Sequence, residues 1–312
     1  MTRRIDILFH LADRSAPEWI DAIGRALPEA RLHVWPDDGD AAADYAIVFA
    51  PHAAHVPALS RVRAVFNLGA GVNAFWQIPE LPADVPLIRL EDAGMADQMV
   101  EYATYAALRR FREFDVYEVE QRAARWSPRE RRDKRAFGIG VLGLGALGLR
   151  VAAALRDQGF PVSGWSRTAK EVDGIATHSG PGGLDAMLPL CRLLIALLPL
   201  TPATTGVLNR HTLGRLPRGA VVVNVGRGAL IVDADLLALL SSGHLAGAML
   251  DVFTDEPLPA GHPFWHHPEI EITPHISAIT QRDESAVQIA AKIRALERGE
   301  TVGGVVDRSR QY

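Results

Sequence analysis

Residues Phe137 to Gly148 read Phe-Gly-Ile-Gly-Val-Leu-Gly-Leu-Gly-Ala-Leu-Gly, an apolar run punctuated by glycine that leads into the helix-prone stretch Leu149 to Leu155. A strand, a tight glycine turn and a helix in that order commit this part of the chain to an α/β arrangement around a parallel sheet. Two registers satisfy the spacing G-x-G-x-x-G, one starting at Gly138 and one at Gly143. Only the later one leaves a strand before its first glycine and an amphipathic Ala/Leu/Arg helix after its second. In that register Gly143 allows the turn, Gly145 lets the backbone approach a pyrophosphate, and Gly148 lets the helix pack on the sheet. With Ala146 and Leu147 between them, these residues put the amide groups and positive dipole end of a helix N-terminus before an anion. The reading is a dinucleotide phosphate site; the alternative is a glycine-rich turn without a ligand.

Around this turn the chain divides into two α/β series. Ile5 to His10, Leu32 to Trp35, Tyr45 to Ala50, Ala64 to Leu68 and Leu87 to Leu90 are short apolar runs that predict strands, and Ser15-Ala16-Pro17-Glu18 resembles a capping box opening a helix. From Gly94 the pattern becomes helical, with Met99, Tyr102, Ala106, Leu108 and Phe111 as the buried stripe of one helix reaching about residue 121. The second series places strands near Phe160 to Gly164, Leu193 to Leu198, Ala220 to Val225, Gly247 to Val252 and Ile270 to Ile272, and a last helix near Arg282 to Arg298. Helical patterns between apolar strands predict doubly wound parallel sheets. The expected division is residues 1–100 with 285–312 as one domain, residues 101–284 as the dinucleotide-binding domain, and a cleft between two Rossmann-like or flavodoxin-like halves.

Composition narrows the partners. A net charge of −4 and 22% charged residues describe an ordinary globular protein. The one cationic stretch, Arg122 to Arg135, is interrupted by Glu130 and Asp133 and carries no aromatic ladder, so nucleic acid is not an expected partner. Cys191 is the only cysteine, which excludes intramolecular disulfides and a cysteine-built metal site and fits a reducing cytoplasm. No metal is expected. No signal-peptide core follows Met1 and no run of about 20 apolar residues exists for a membrane span.

Residues able to carry chemistry fall at strand ends. After the second strand of the glycine-turn series, Trp165-Ser166-Arg167-Thr168 stands where an NAD-selective site usually holds a carboxylate for the ribose 2′-hydroxyl. An acid there would repel a 2′-phosphate, whereas Arg167 would pair with it, Ser166 and Thr168 would offer hydroxyls and Lys170 further charge. NADP(H) is therefore the expected cofactor, with NAD(H) possible and a merely solvent-facing Arg167 the alternative. Farther on, Asn224-Val225-Gly226-Arg227-Gly228, Asp251 to Pro257 and Thr273-Pro274-His275 bring a cation, carboxylates and an imidazole to three more strand ends, the edge at which open α/β sheets bind ligands. Taken from the residues alone, either Asp255 or Glu256 is able to face His275.

In this order the segments resemble those of the D-isomer-specific 2-hydroxyacid dehydrogenases. The likeness spans essentially the whole chain and includes Leu198-Pro199-Leu200-Thr201-Pro202-Ala203-Thr204 and Asn67-Leu68-Gly69-Ala70-Gly71-Val72-Asn73. More narrowly, Leu90 to Met95, Trp165 to Thr168, Met249 to Pro259 and Val306-Asp307-Arg308 are similar to bacterial glyoxylate/hydroxypyruvate reductases. The resemblance implies reduction of a small 2-oxo acid by hydride transfer. It makes His275 the proton donor to the carbonyl oxygen and selects Glu256 to orient and charge it, because an adjacent carboxylate favours imidazolium. It gives Arg227 the substrate and the developing alkoxide, and assigns the substrate carboxylate to the backbone at Ala70 and Gly71. It assigns Asp251 to the nicotinamide carboxamide and Leu198, Pro199 and Val225 to the cofactor. Trp126 sits where related enzymes reach a partner subunit, which implies a homodimer; local packing of the aromatic is the other reading. Asn73 replaces an acid found in many relatives. A sibling acting on a larger 2-oxo acid uses the same residues, and a non-catalytic nicotinamide sensor is disfavoured by the intact Arg227, Glu256 and His275 set.

Overall fold

The computed structural model describes residues 4–11, 15–36, 42–78 and 80–311, so the start of the amino-terminal segment, Met1 to Arg3, lies outside it. In chain order the elements are β1 (Ile5–His10), α1 (Ala16–Ala26), β2 (Ala30–Val34), β3 (Tyr45–Val48), α2 (Val56–Leu59), β4 (Ala64–Asn67), β5 (Leu87–Ile88), α3 (Met95–Phe111) and α4 (Phe114–Arg122). They continue with β6 (Ile139–Leu142), α5 (Ala146–Asp157), β7 (Val162–Ser166), β8 (Ala176–Ser179), α6 (Gly180–Met187), β9 (Leu193–Ala196), α7 (Arg210–Leu213), β10 (Ala220–Asn224), α8 (Asp233–Ser241), β11 (Leu245–Leu250), β12 (Ile270–Ile272) and α9 (Arg282–Glu297). The chain forms two compact units, Met1–Met95 with Thr280–Tyr312 and Ala96–Ile279.

The first unit holds a parallel sheet in the order β2-β1-β3-β4-β5. Tyr45, Ala46, Ile47 and Val48 are all buried, as a central strand covered on both faces requires. The expected capping box at Ser15 does not form. Ser15 is helical in φ and ψ and makes no side-chain cap, and its carbonyl takes the Glu18 and Trp19 amides while Pro17 presets the first turn.

In the second unit the order β12-β11-β10-β9-β6-β7-β8 is again wholly parallel and doubly wound about β6. Alternate residues of each central strand feed opposite layers. Ile139, Val141, Leu193, Ile195, Val221 and Val223 pack with Ala103, Phe111, Val151 and Leu155, whereas Leu142, Leu194, Ala196 and Val222 pack with Leu213, Leu236 and Leu240. Each central strand is apolar on both faces for this reason.

Two further sequence expectations change. The single helix to about residue 121 is instead α3 and α4, broken where Glu113 adopts φ 59°. The buried Glu113 carboxylate pairs with Arg129 at 2.9 Å and Arg132 at 2.5 Å, so partners from the cationic stretch hold the break. Arg125 and Arg135 in that stretch pair in turn with Glu120 and Asp133. The second change is an added edge strand, β8, whose residues Ala-Thr-His-Ser are exposed or half-buried and leave no apolar signature. Among the described residues no helix is long and apolar enough to cross a membrane.

Candidate active site

The glycine turn follows β6, at the point where the sheet order reverses between β6 and β9. Gly143 has φ +103°, a conformation that favours glycine, and a Cβ there would stand 2.8 Å from the Leu197 carbonyl. At Gly148 a Cβ would come within 1.8 Å of the Gly143 carbonyl oxygen, so α5 meets the turn in direct backbone contact. Gly145 differs from both. It is exposed, is the N-cap of α5 and would have no atom within 4 Å of an added Cβ. Exposed Ala146 and half-buried Leu147 open the helix behind it. An open cradle before the amides of a twelve-residue helix fits a pyrophosphate by shape and dipole.

At the end of β7, Arg167 and Thr168 are exposed. Ser166 is buried, and its hydroxyl donates to the Thr168 carbonyl at 2.8 Å, closing the turn that carries Arg167. Lys170 donates from Nζ to the Leu144 carbonyl at 2.5 Å, tying this loop to the glycine turn. Leu198 is buried and Pro199 exposed just past β9, and the Val225 amide donates to the Ala196 carbonyl at 3.1 Å just past β10. These cofactor candidates therefore share the carboxyl edge of β6, β7, β9 and β10.

Arg227, Asp251, Glu256 and His275 follow the adjoining strands β10, β11 and β12. Asn224, fully buried, shapes the first of these loops. Its Nδ2 donates to the Arg227 carbonyl at 2.9 Å and its Oδ1 accepts the Gly226 amide at 3.2 Å. Gly226 passes the Leu198 carbonyl, and Gly228 lies so close to Phe253 and Thr254 that a Cβ would fall 1.9 Å from the Phe253 carbonyl carbon. Burial pushes the Arg227 guanidinium down from its ordinary value and the Glu256 charge opposes that shift.

Glu256 and His275 meet directly, Oε2 to Nδ1 at 2.7 Å, while Glu256 Oε1 accepts the Phe253 amide at 2.8 Å. Glu256, not Asp255, thus supplies the carboxylate at the imidazole, and Nδ1 engaged in this way leaves Nε2 for another group. His275 itself has φ 55°. Its amide donates to the Asp251 carbonyl at 2.9 Å, and the Asp251 carboxylate accepts Thr273 Oγ1 at 2.6 Å and the Ile276 and Ser277 amides at 2.8 and 2.9 Å. Tyr102 Oη stands 2.7 Å from Thr273 Oγ1 and extends the network into α3. Asn224, Thr273 and Tyr102 are supports to which the sequence reading gave no role at the site. A buried polar residue ending the run Val221-Val222-Val223 is the one available signal, for Asn224.

In the first unit, Ala70 and Gly71 are half-buried in the loop after β4. Asn67 holds that loop by donating from Nδ2 to the Gly69 and Gly71 carbonyls at 2.9 and 2.8 Å. The expected loop residue Asn73 begins a short 3₁₀ helix, Asn73–Gln77.

Residues 104–277 match the family described as D-isomer specific 2-hydroxyacid dehydrogenase, NAD binding domain. The chain is 46% identical over 308 residues to glyoxylate/hydroxypyruvate reductase A of Serratia proteamaculans (strain 568), covering 97% of this chain and 98% of that protein. Among solved structures it is similar to a D-isomer-specific 2-hydroxyacid dehydrogenase from Xanthobacter autotrophicus Py2 in complex with NADPH and MES, at 36% identity and TM-score 0.94, covering 99% of this chain and 100% of that one. It is also similar to an NADPH-dependent glyoxylate/hydroxypyruvate reductase from Sinorhizobium meliloti in complex with NADP and sulfate, at 32% identity and TM-score 0.91, with the same coverage.

Proposed function

The chain belongs to the D-isomer-specific 2-hydroxyacid dehydrogenases, and we propose that it reduces glyoxylate to glycolate and hydroxypyruvate to D-glycerate with NADPH. The observation that carries this reading is the 2.7 Å contact between His275 and Glu256, built beside the loop that bears Arg227. Bound NADPH supplies the hydride. His275 holds a proton on the nitrogen opposite Glu256 and delivers it to the carbonyl oxygen as that oxygen gains charge, while Glu256 fixes the ring through Nδ1. Arg227 binds the substrate and stabilises the developing alkoxide from a partly desolvated position, where a fixed cation acts more strongly than in water. Backbone amides at Ala70 and Gly71 receive the substrate carboxylate.

For the cofactor, the glycine turn takes the pyrophosphate and Arg167 with Thr168 takes the 2′-phosphate. Ser166 has its proton committed to the Thr168 carbonyl and so shapes that loop. Asp251 has carboxylate oxygens that accept three hydrogen bonds from residues 273–277, which supports a positioning role beside any contact with the nicotinamide carboxamide. We further propose a cytoplasmic homodimer. Trp126, 97% exposed on the arm after α4, supports the dimer by offering an aromatic for a partner to cover, and a single buried thiol suits a reducing compartment.

A steady-state comparison of glyoxylate, hydroxypyruvate, pyruvate and a bulkier 2-oxo acid with NADPH and NADH tests the reading. The highest kcat/KM is expected for one of the first two with NADPH. Faster turnover of a bulky 2-oxo acid would move the assignment to a sibling activity, and no consumption of NADPH with any of them would leave a cofactor-binding protein without this chemistry.

A further inference from the structure

Three histidines converge on the carboxyl edge of the first unit's sheet. His10 is the last residue of β1, and His52 and His55 belong to the turn after β3, the strand that pairs with β1 through His10 and Val48. The His55 ring lies 4.1 Å from that of His10 and 4.0 Å from that of His52, centroid to centroid, and one ring nitrogen of each residue lies within 4.8 Å of the other two. His55 is fully buried, His10 is 8% exposed and His52 is exposed. Trp35 walls one side, its ring 4.9 Å from His55.

His55 gives this cluster a direction. Its Nδ1 lies 3.1 Å from the His52 carbonyl oxygen, while its Nε2 is buried without a hydrogen-bond partner. An orphaned buried nitrogen is a cost to the fold that a ligand removes. The His52 amide also stands 3.1 Å from this Nδ1; in the tautomer that donates from Nδ1 to the carbonyl the lone pair lies on Nε2, and a bound ion would select that tautomer. The ligand chemistry is wholly imidazole, which suits Zn²⁺ and its neighbours and not the oxygen-seeking Mg²⁺ or Ca²⁺.

We propose that His10, His52 and His55 bind one divalent transition-metal ion of the Zn²⁺ class, leaving a further coordination position to water or an exogenous ligand. At the usual zinc–nitrogen distance of about 2.0–2.1 Å, nitrogens sharing an ion stand no more than roughly 4 Å apart. Closing the remaining gap falls to His52, the exposed member of the three.

Titration of chelator-stripped, full-length protein with Zn²⁺ in a calorimeter, with and without NADPH, tests the site. One ion per chain is expected, and the Co²⁺ form should show the visible absorption of a low-coordinate complex. His52→Ala and His10→Gln should each weaken Zn²⁺ binding by at least about tenfold. No Zn²⁺ uptake by the parent protein, or uptake unaltered in both variants and so lodged elsewhere among its eleven histidines, overturns the proposal. His52 is exposed, so His52→Ala decides the matter even if His10→Gln fails to fold.

Discussion

Asp251 grips the backbone on which His275 stands: its carbonyl takes the His275 amide at 2.9 Å, and its carboxylate takes the next two amides at 2.8 and 2.9 Å. The imidazole is set at φ 55°, a conformation costly for a residue with a Cβ, and this grip from the neighbouring strand holds it there. Thr273 joins the same carboxylate through its hydroxyl. Thr273→Val removes that donor and deprives Tyr102 of its hydroxyl partner. We expect a loss of about 1–3 kcal/mol in denaturant unfolding, and a fall in kcat exceeding any rise in the KM for NADPH. Unchanged stability and kcat would mean that the grip does not need Thr273.

His275→Ala is expected to lower kcat by about 10²- to 10⁴-fold while NADPH still binds, as titrated by fluorescence. Glu256→Gln keeps the shape of the contact but removes its charge, so kcat should fall less than in His275→Ala. A kcat in Glu256→Gln equal to that of the parent protein would leave the carboxylate as a spacer only.

Arg167→Ala should raise the KM for NADPH by roughly 10- to 100-fold, the range for losing hydrogen bonds to a charged group, and leave the KM for NADH nearly unaltered. Equal changes for the two cofactors in initial-rate measurements would take the 2′-phosphate away from Arg167.

Gly148→Ala places a Cβ 1.8 Å from the Gly143 carbonyl oxygen, so the two backbones must move apart. We expect a destabilisation of at least about 1–3 kcal/mol by overpacking, together with weaker NADPH binding, as α5 is pushed off the turn. Gly145→Ala meets no protein atom, so it should leave stability nearly intact and weaken the cofactor alone. Comparing thermal unfolding and NADPH titration of both variants checks the pair; if Gly145→Ala were the more destabilising, the packing argument would fail.

Cys191 is fully buried, its Sγ donates to the Met187 carbonyl at 3.3 Å, and burial pushes its thiol up to about 12. The thiolate is the reactive form, so alkylation at pH 8 should be negligible in the native protein and rapid in denaturant. Stoichiometric labelling of the native chain by iodoacetamide within minutes would contradict this.

What the sequence disclosed follows from where the physical signal is local. The strands carrying Leu193 to Ala196 and Ala220 to Asn224 are apolar on both faces and were readable as buried strands. The Gly143 to Gly148 spacing likewise writes a backbone shape into composition. In contrast, β8 is a polar edge strand, and the break at Glu113 is held by arginines from a later segment, so neither is visible in its own window. The same distinction holds at the site. Arg227 and His275 advertise themselves by type and position, but the choice of Glu256 over Asp255 as the partner of His275 is a matter of loop geometry. The roles of Tyr102 and Thr273 depend on contacts between distant elements, which no motif records.

Gly228, seated on the main chain of Phe253 and Thr254, couples two loops with no side chain between them as a cushion. The guanidinium-bearing segment and the carboxylate-bearing segment behave as one plate, so neither can drift without carrying the other along. Retuning this protein toward a bulkier acid therefore has to proceed by remodelling the surroundings of that plate, because any branching at residue 228 would pry cation and acid apart at once.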